Sequence, residues 1–243
     1  MERYERLALV FDTAESQLGV AALHLIQYGL DPLYARELDE LAALARAHAG
    51  RVAALVVPGA LAEGELDAVL DRILPGLPSG RASVVVVAPP RERARLVALR
   101  ERGLRWVVFA PYQPSELRFA VAAALATGDA LEPRCGLRVP TRLPASVRYG
   151  GATRSGQITN LSVGGAFVGL PDPPAPGAAL SLEFPIGERL LNVGAVVARC
   201  AGEARARRAE GGPGVGVVFA GLSPVEAHLI EGFVRECVDS FRL

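Results

Sequence analysis

The stretch Pro133–Val168, PRCGLRVPTRLPASVRYGGATRSGQITNLSVGGAFV, contains two arginines between prolines and, one β-hairpin later, a polar and glycine-rich turn. The two arginines are Arg134 and Arg138. Proline holds the residue before it in extended geometry, and Gly136 weakens any helix at this place. We therefore predict that residues 128–140 form a bent, mobile interdomain linker that carries both arginines.

The polar turn contains Asn160, Ser162 and Gly165. Asn160 and Ser162 are two positions apart, so their side chains point to one face of a strand, and Gly165 lets another backbone come close. Asparagine offers amide donors and a carbonyl acceptor, and serine offers a hydroxyl group. The fork of an arginine fits a phosphate, or the O6/N7 edge of guanine, with two parallel hydrogen bonds. The combination predicts a polar floor beneath a cationic flap, suited to a guanine nucleotide.

These two motifs resemble those of the PilZ family, the bacterial receptors for cyclic di-GMP, which carry RxxxR in a linker and [D/N]xSxxG on a barrel. The resemblance covers about Pro133 to Cys237. Arg142 gives a second RxxxR register with Arg138, but we prefer the first because Val139-Pro140 should follow the second arginine of the pair. The resemblance implies a cyclic di-GMP site formed by Arg134, Arg138, Asn160, Ser162 and Gly165.

The chain after the linker predicts an all-β, six-stranded PilZ-type barrel with a C-terminal helix, over residues 141–243. Short alternating segments are separated by glycine- and proline-rich turns. The predicted strands are Leu143–Tyr149, Arg154–Leu161, Ala166–Leu170, Ala179–Phe184, Leu191–Cys200 and Gly216–Phe219. The predicted helix is Pro224–Val238, with Ala227, Ile230, Phe233 and Val234 facing inward.

Residues 1–127 alternate short apolar runs with amphipathic helical segments, which predicts a five-stranded, doubly wound parallel sheet. The predicted strands are Leu7–Phe11, Leu33–Ala35, Val52–Val57, Val84–Ala88 and Trp106–Phe109. The predicted helices are Ala14–Tyr28, Glu37–His48, Leu61–Leu74, Glu92–Arg102 and Ser115–Ala126, the last of them capped by Ser115.

This βα pattern and the segment Ala110–Leu117 resemble the receiver domain of response regulators, over about Leu7 to Ala126. Receivers have a phosphoacceptor aspartate at the end of strand three, a serine or threonine at the end of strand four and a lysine just before the proline that corresponds to Pro111. The corresponding residues here are Val56-Val57-Pro58, Ala88-Pro89 and Ala110.

Asp12 is the only carboxylate that remains of the receiver's acidic pair. One carboxylate cannot hold Mg²⁺, so we interpret Asp12 as a helix cap near Thr13. We predict a pseudo-receiver that is not phosphorylated by receiver chemistry, and by analogy a homodimer formed through it.

Composition excludes several other classes of protein. The 243-residue chain has a formal net charge of zero, which argues against nucleic-acid binding by bulk charge. Residues 1–133 have 14 arginines and 17 acidic residues, a net of −3, whereas residues 134–243 have 12 and 9, a net of +3. The second half is therefore the expected place for a bound anion. Arg205, Arg207 and Arg208 form a basic tip at a predicted loop, which we expect to be solvated; contact with an anionic partner surface is the alternative.

No catalytic or cofactor site is expected. Cys135, Cys200 and Cys237 form neither a disulfide framework nor a metal signature, which favours a reduced, cytoplasmic setting. No signal peptide or membrane-spanning run is recognised. The histidines His24, His48 and His228 fall in separate predicted helices, so neither an enzyme nor a metal site is expected.

Two functional hypotheses follow from these patterns. The first is a cyclic di-GMP receptor that passes the signal on by domain rearrangement and contacts with a partner protein. The alternative is a ligand-independent PilZ-like adaptor in motility or development. A DNA-binding regulator is not favoured, because the chain has neither a recognition helix nor a basic face.

Overall fold

The computed structural model describes residues 6–14, 16, 18–27, 30–89, 93–126, 137–201 and 213–243. The chain divides into two compact units. The first consists of Met1–Thr127 together with Phe241–Leu243, and the second consists of Gly128–Ser240. The last three residues therefore pack with the first unit, although the sequence grouped them with the barrel.

The first unit is a five-stranded parallel sheet with helices, in the strand order β2-β1-β3-β4-β5. Its strands are β1 (Leu7–Phe11), β2 (Asp31–Ala35), β3 (Val52–Pro58), β4 (Val84–Ala88) and β5 (Trp106–Phe109). Its helices are α1 (Gly19–Gln27), α2 (Leu38–Ala47), α3 (Glu63–Ile73), α4 (Arg93–Glu101) and α5 (Pro114–Leu125), with 3-10 turns at Leu74–Gly76 and Gly80–Ser83. The predicted receiver-like fold is confirmed.

The inner strands of this sheet are buried along their whole length. Every residue of β1, β3 and β4 is buried, as expected for parallel strands that have helices on both faces. Continuous runs of valine, leucine and alanine supply this burial, so no polar alternation appears in these strands.

The outer edge of β5 pairs with the last three residues of the chain. The Val107 amide donates to the Phe241 carbonyl over 2.9 Å, and the Leu243 amide donates to the Arg105 carbonyl over 3.0 Å. The Phe241 ring lies 4.9 Å from the Phe119 ring, measured between centroids. An edge strand with open amides and carbonyls is an aggregation risk, and this pairing covers part of that edge.

Helix α5 begins one residue earlier than predicted, and the predicted cap Ser115 is wrong. The N-cap is Gln113, and Pro114 occupies the first helical position, where its missing N–H costs nothing. The Glu116 carboxylate accepts a hydrogen bond from the Gln113 amide at 2.7 Å. This reciprocal carboxylate contact takes the place of a serine cap.

The second unit is a closed, six-stranded antiparallel barrel followed by a helix, as predicted. The strands are β6 (Val139–Tyr149), β7 (Ala152–Ser162), β8 (Gly165–Gly169), β9 (Ala179–Ile186), β10 (Arg189–Ala201) and β11 (Gly214–Ala220), and the helix is α6 (Pro224–Ser240). Their order around the barrel is β10-β11-β8-β7-β6-β9, with β9 and β10 paired to close it.

Alternation of buried and exposed residues defines the inside of this barrel. Along β9 and β10 every second residue is buried, and Phe184 stacks inside against Phe219 at 6.2 Å between centroids. Helix α6 contacts β6, β7 and β9 and buries Ile230, Val234 and Val238. Residues that alternate with the core positions therefore line the outer face of the sheet.

Candidate functional site

Three of the predicted site residues lie around the turn between β7 and β8. Leu161 is fully buried inside the barrel, so its neighbours Asn160 and Ser162 are on the outer side of the strand. The strand register places Ser162 opposite Gly165 and Asn160 opposite Phe167. The sequence expectation that Asn160 and Ser162 share a face agrees with this register.

Ser162 is used locally in the turn. Its side chain is buried, with 3% exposure, and its hydroxyl donates to the Gly165 carbonyl at 3.0 Å. This contact is the local backbone bonding typical of serine at the end of a strand. The oxygen keeps its lone pairs, so it remains able to accept a hydrogen bond.

Asn160 has an unused acceptor. Its Oδ1 atom is buried and has no hydrogen-bond partner among the residues that the structure describes. Leaving a buried carbonyl oxygen unpaired costs about 1–3 kcal/mol. A donor that reaches this atom from outside, such as an N–H of a base, would recover that free energy.

Gly165 lies where two backbones come into close contact. A Cβ atom built on Gly165 would be 2.1 Å from the carbonyl oxygen of Val217 on β11. No residue with a side chain fits between β8 and β11 at this point. The glycine of the second motif therefore has a structural role within the barrel.

Arg138 precedes the first residue of β6. The register pairs Val139 with Leu161, and continuing it by one residue places Arg138 opposite Ser162 on the outer face. Arg138 is exposed as a whole residue, although its guanidinium group is partly withdrawn from water. Partial burial, and after it the positive charge of Arg199, lower the pKa of Arg138.

The other arginines of the two possible registers are placed differently. Arg134 lies outside the described residues, as does the predicted linker up to residue 136. Arg142 is exposed within β6, at the irregularity between Pro140 and Leu143.

Sequence reasoning missed Arg199 and Phe167, which lie on the same outer face as the motif residues. Arg199 is on β10 opposite Gly216, and Phe167 is on β8 opposite the same glycine. Neither residue belongs to a spaced motif. Only the pairing of strands that are distant in the sequence brings Phe167 next to Asn160 and places Arg199 at the far end of the same row.

In the first unit, the segment that corresponds by sequence to a receiver's phosphoacceptor position is part of a buried strand. Val56-Val57-Pro58 lies within the buried strand β3, and the amide of Gly59 donates to the Val87 carbonyl at 2.7 Å. A Cβ atom on Gly59 would be 2.7 Å from the Cβ atom of Ala88. Arg95 donates to the carbonyl of Gly59 at 2.8 Å and holds this loop against α4.

Asp12 forms bonds within its own turn. Its carboxylate accepts hydrogen bonds from the Leu18 amide at 2.9 Å, from the Ser16 hydroxyl and from the Tyr34 hydroxyl. Burial raises the pKa of Asp12, but the hydrogen bonds from Ser16, Tyr34 and the Leu18 and Thr13 amides outweigh it and lower the pKa. These contacts support the interpretation of Asp12 as a cap before α1.

Replacing Asp12 by alanine is expected to lower the free energy of unfolding of the first unit by about 2 kcal/mol, because buried donors lose their acceptor. Folding lowers the pKa of Asp12, so the ionised carboxylate stabilises the fold at pH values above the ordinary aspartate pKa of about 4. This stabilisation is lost as the pH falls through the lower pKa of the folded state. Urea unfolding followed by the fluorescence of Trp106, the single tryptophan, measures both effects. The exposed Asp71→Ala is the control, and an equal loss in both variants would contradict the prediction.

The described residues contain no group of three or more histidine, cysteine or acidic side chains that could hold a metal ion. Within the same residues, no helix is long and apolar enough to cross a membrane. The basic tip with Arg205, Arg207 and Arg208 lies outside the described residues. Cys200 and Cys237 are free thiols.

Comparison with known proteins concerns the second unit. The family model of the PilZ domain matches residues 132–236. PilZ domains are a non-enzymatic family that binds cyclic di-GMP. A search of curated protein sequences gave no match.

Solved structures similar to this chain match between 41% and 51% of its length. The PilZ domain of YcgR from Escherichia coli, with c-di-GMP, is 12% identical, covers 43% of this chain and 91% of its own, and has a TM-score of 0.36. A putative pilus assembly-related protein from Burkholderia pseudomallei is 22% identical over 51% of this chain and 92% of its own, with a TM-score of 0.42. The inhibitor of motility MotI/DgrA from Bacillus subtilis is 17% identical over 42% of this chain, with a TM-score of 0.37, and the match spans 50% of its length.

Proposed function

We propose, from the premise that residues 132–236 of this chain are a PilZ domain, that the protein is a receptor for cyclic di-GMP. The observation that carries the proposal is the convergence of motif residues on one outer face of the barrel. Arg138 is opposite Ser162 there, and the unpaired Oδ1 atom of Asn160 lies one row away. A cation, an acceptor and a hydroxyl suit a ligand with phosphates and guanine edges.

In the proposed complex each residue has a separate role. Arg138, together with Arg134, contacts phosphate or guanine edges through its planar fork. The Oδ1 atom of Asn160 accepts from an N–H of guanine, and Ser162 offers its free lone pairs. Gly165 keeps the floor of the site low, because its missing side chain lets β8 and β11 approach.

We assign a separate role to each of three consecutive segments of the chain. Residues 1–127 are a pseudo-receiver for dimerisation or partner binding, residues 128–140 are the linker and residues 141–243 are the ligand-binding barrel. Binding at Arg134 and Arg138 changes the path of the linker, and the partner protein binds with a different affinity as a result. We place this receptor in the cytoplasm on the ground of its cysteine pattern, and it needs no cofactor besides the ligand.

One observation favours the second candidate, a ligand-independent adaptor. Ser162 is already bonded to the Gly165 carbonyl, so turn formation alone is a sufficient reason for its presence. An adaptor would keep its partner in the double variant Arg138→Ala, Ser162→Ala, when the partner is co-purified. A receptor would lose the effect of cyclic di-GMP on that partner in the same variant.

Isothermal titration of the full chain with cyclic di-GMP tests the proposal. We expect heat of binding with a dissociation constant of about 10 μM or below, a free energy of about −7 kcal/mol. Cyclic di-AMP and GMP are the controls, since the first has adenine edges and the second has a single guanine and phosphate. Absence of heat with cyclic di-GMP would reject the receptor.

A further inference from the structure

Four residues form a continuous row across the outer face of the barrel. Asn160 on β7 is opposite Phe167 on β8, and Phe167 is opposite Gly216 on β11. Gly216 is in turn opposite Arg199 on β10. Residues opposite each other on antiparallel strands project from the same side of the sheet. Arg199 and Asn160 are therefore the two ends of one row.

The side chain of Arg199 lies across Gly216. A Cβ atom built on Gly216 would be 2.9 Å from both the Cγ and the Nε atoms of Arg199. The space that another residue would fill at position 216 is therefore occupied by the arginine. The Arg199 side chain up to its Nε atom therefore lies over Gly216, the residue that separates Arg199 from Phe167 in the row.

Arg138 and Arg199 approach this face from different strands, and their charges influence each other. The charge of Arg199 contributes to the lowered pKa of Arg138, after the larger contribution of burial. No carboxylate among the described residues forms an ion pair with either arginine. Two like charges held over one surface repel each other, and an anion bound between them would relieve that repulsion.

We propose that Arg199 is a third ligand-contacting arginine, outside both sequence motifs, which holds cyclic di-GMP from the side opposite to Arg138. This inference rests on the proposed function and adds to it a second described arginine, so that two guanidinium groups face the two phosphate charges of the ligand. The ligand has two phosphodiester charges, and Arg138 and Arg199 each place a guanidinium over the same floor. Phe167 belongs to the same row, and its ring leans over Gly214 of β11, where it offers a flat apolar surface beside the arginines.

The competing explanation is that Arg199 only covers apolar surface with its aliphatic stem. Arginines often pack their methylene groups on exposed apolar side chains, and Val218 nearby is 52% exposed. This role depends on the stem and not on the charge. Arg199→Met keeps most of the stem and removes the charge, so it separates the two explanations.

The test is calorimetric titration of cyclic di-GMP into the full-length variants Arg199→Ala, Arg199→Met and Gly216→Ala. We expect both Arg199 variants to bind about 10-fold to 100-fold more weakly than the unaltered chain, as for the loss of a charge-assisted hydrogen bond. Arg189→Ala is the matched control, since Arg189 is exposed at the opposite end of the same strand, and it should bind like the unaltered chain.

Gly216→Ala supplies a second readout that a purely structural role would not change. Its methyl group should displace the flexible Arg199 side chain and weaken binding several-fold, but have little further effect in the Arg199→Ala background. Such non-additivity identifies two changes that act on one interaction. Binding of Arg199→Met within about twofold of the unaltered chain would overturn the inference and leave the receptor in place. No binding by the unaltered chain would reject both.

Discussion

Arg138→Ala is expected to weaken the binding of cyclic di-GMP about 100-fold, because it removes a cation that faces the ligand directly. Arg138 is the described arginine of the first motif, opposite Ser162 in the extended register. It has no ion pair among the described residues, so its removal leaves none of their carboxylates unpaired. The fold should tolerate the change, and the loss should be confined to binding.

The chain provides a matched control for this experiment in Arg142. The same substitution at Arg142 tests the second RxxxR register, and Arg142 is an exposed residue of the same strand. Calorimetric titration should give unchanged affinity for Arg142→Ala. Because Arg138 belongs to both registers, equal loss in both variants would favour the second register, and a loss in Arg142→Ala alone would contradict a role of Arg138 in binding.

Gly165→Ala is expected to lower the free energy of unfolding of the barrel by about 3 kcal/mol or more. The new methyl carbon would be 2.1 Å from the Val217 carbonyl oxygen, and a backbone atom cannot move away by changing a rotamer. Strands β8 and β11 would have to separate and weaken their hydrogen bonds. The loss of stability should therefore be measurable in the absence of any ligand.

The neighbouring glycine is the control for this prediction. Gly164→Ala places its methyl group where nothing lies within 4 Å, so the barrel should keep most of its stability. Trp106 belongs to the first unit, so its fluorescence should follow an unchanged transition while the circular dichroism of the barrel shifts to lower urea. Equal stability of the Gly164→Ala and Gly165→Ala proteins would contradict the close approach of β8 and β11.

Two strands of the first unit were predictable from their apolar runs alone, whereas β2 begins two residues before its predicted start at Leu33. Val84–Ala88 and Trp106–Phe109 were predicted to the residue, because each is an apolar run that ends at a polar or proline-rich segment. Helix α1 was predicted from Ala14 but begins at Gly19. The difference arises from Asp12, whose carboxylate holds the preceding turn, and such a side-chain contact has no periodic signature in the sequence.

Only the part of the candidate site whose residues are close together in the sequence was predictable. Asn160, Ser162 and Gly165 are close in the chain, so their common face followed from strand alternation. Arg199 was not recognised, because its place beside Gly216 depends on how β10 pairs with β11 in the closed barrel. Strand pairing over long separations is set by the packing of the whole barrel, which no local pattern specifies.

Crystallography of the full chain with cyclic di-GMP would show whether the outer face of the barrel holds the ligand. We expect the dinucleotide on the outer face of β7, β8 and β11, with a donor of the ligand within hydrogen-bond distance of Asn160 Oδ1 and with Arg138 and Arg199 on its two sides. An empty outer face, with Arg138 paired to a carboxylate of its own chain at saturating ligand, would contradict this expectation.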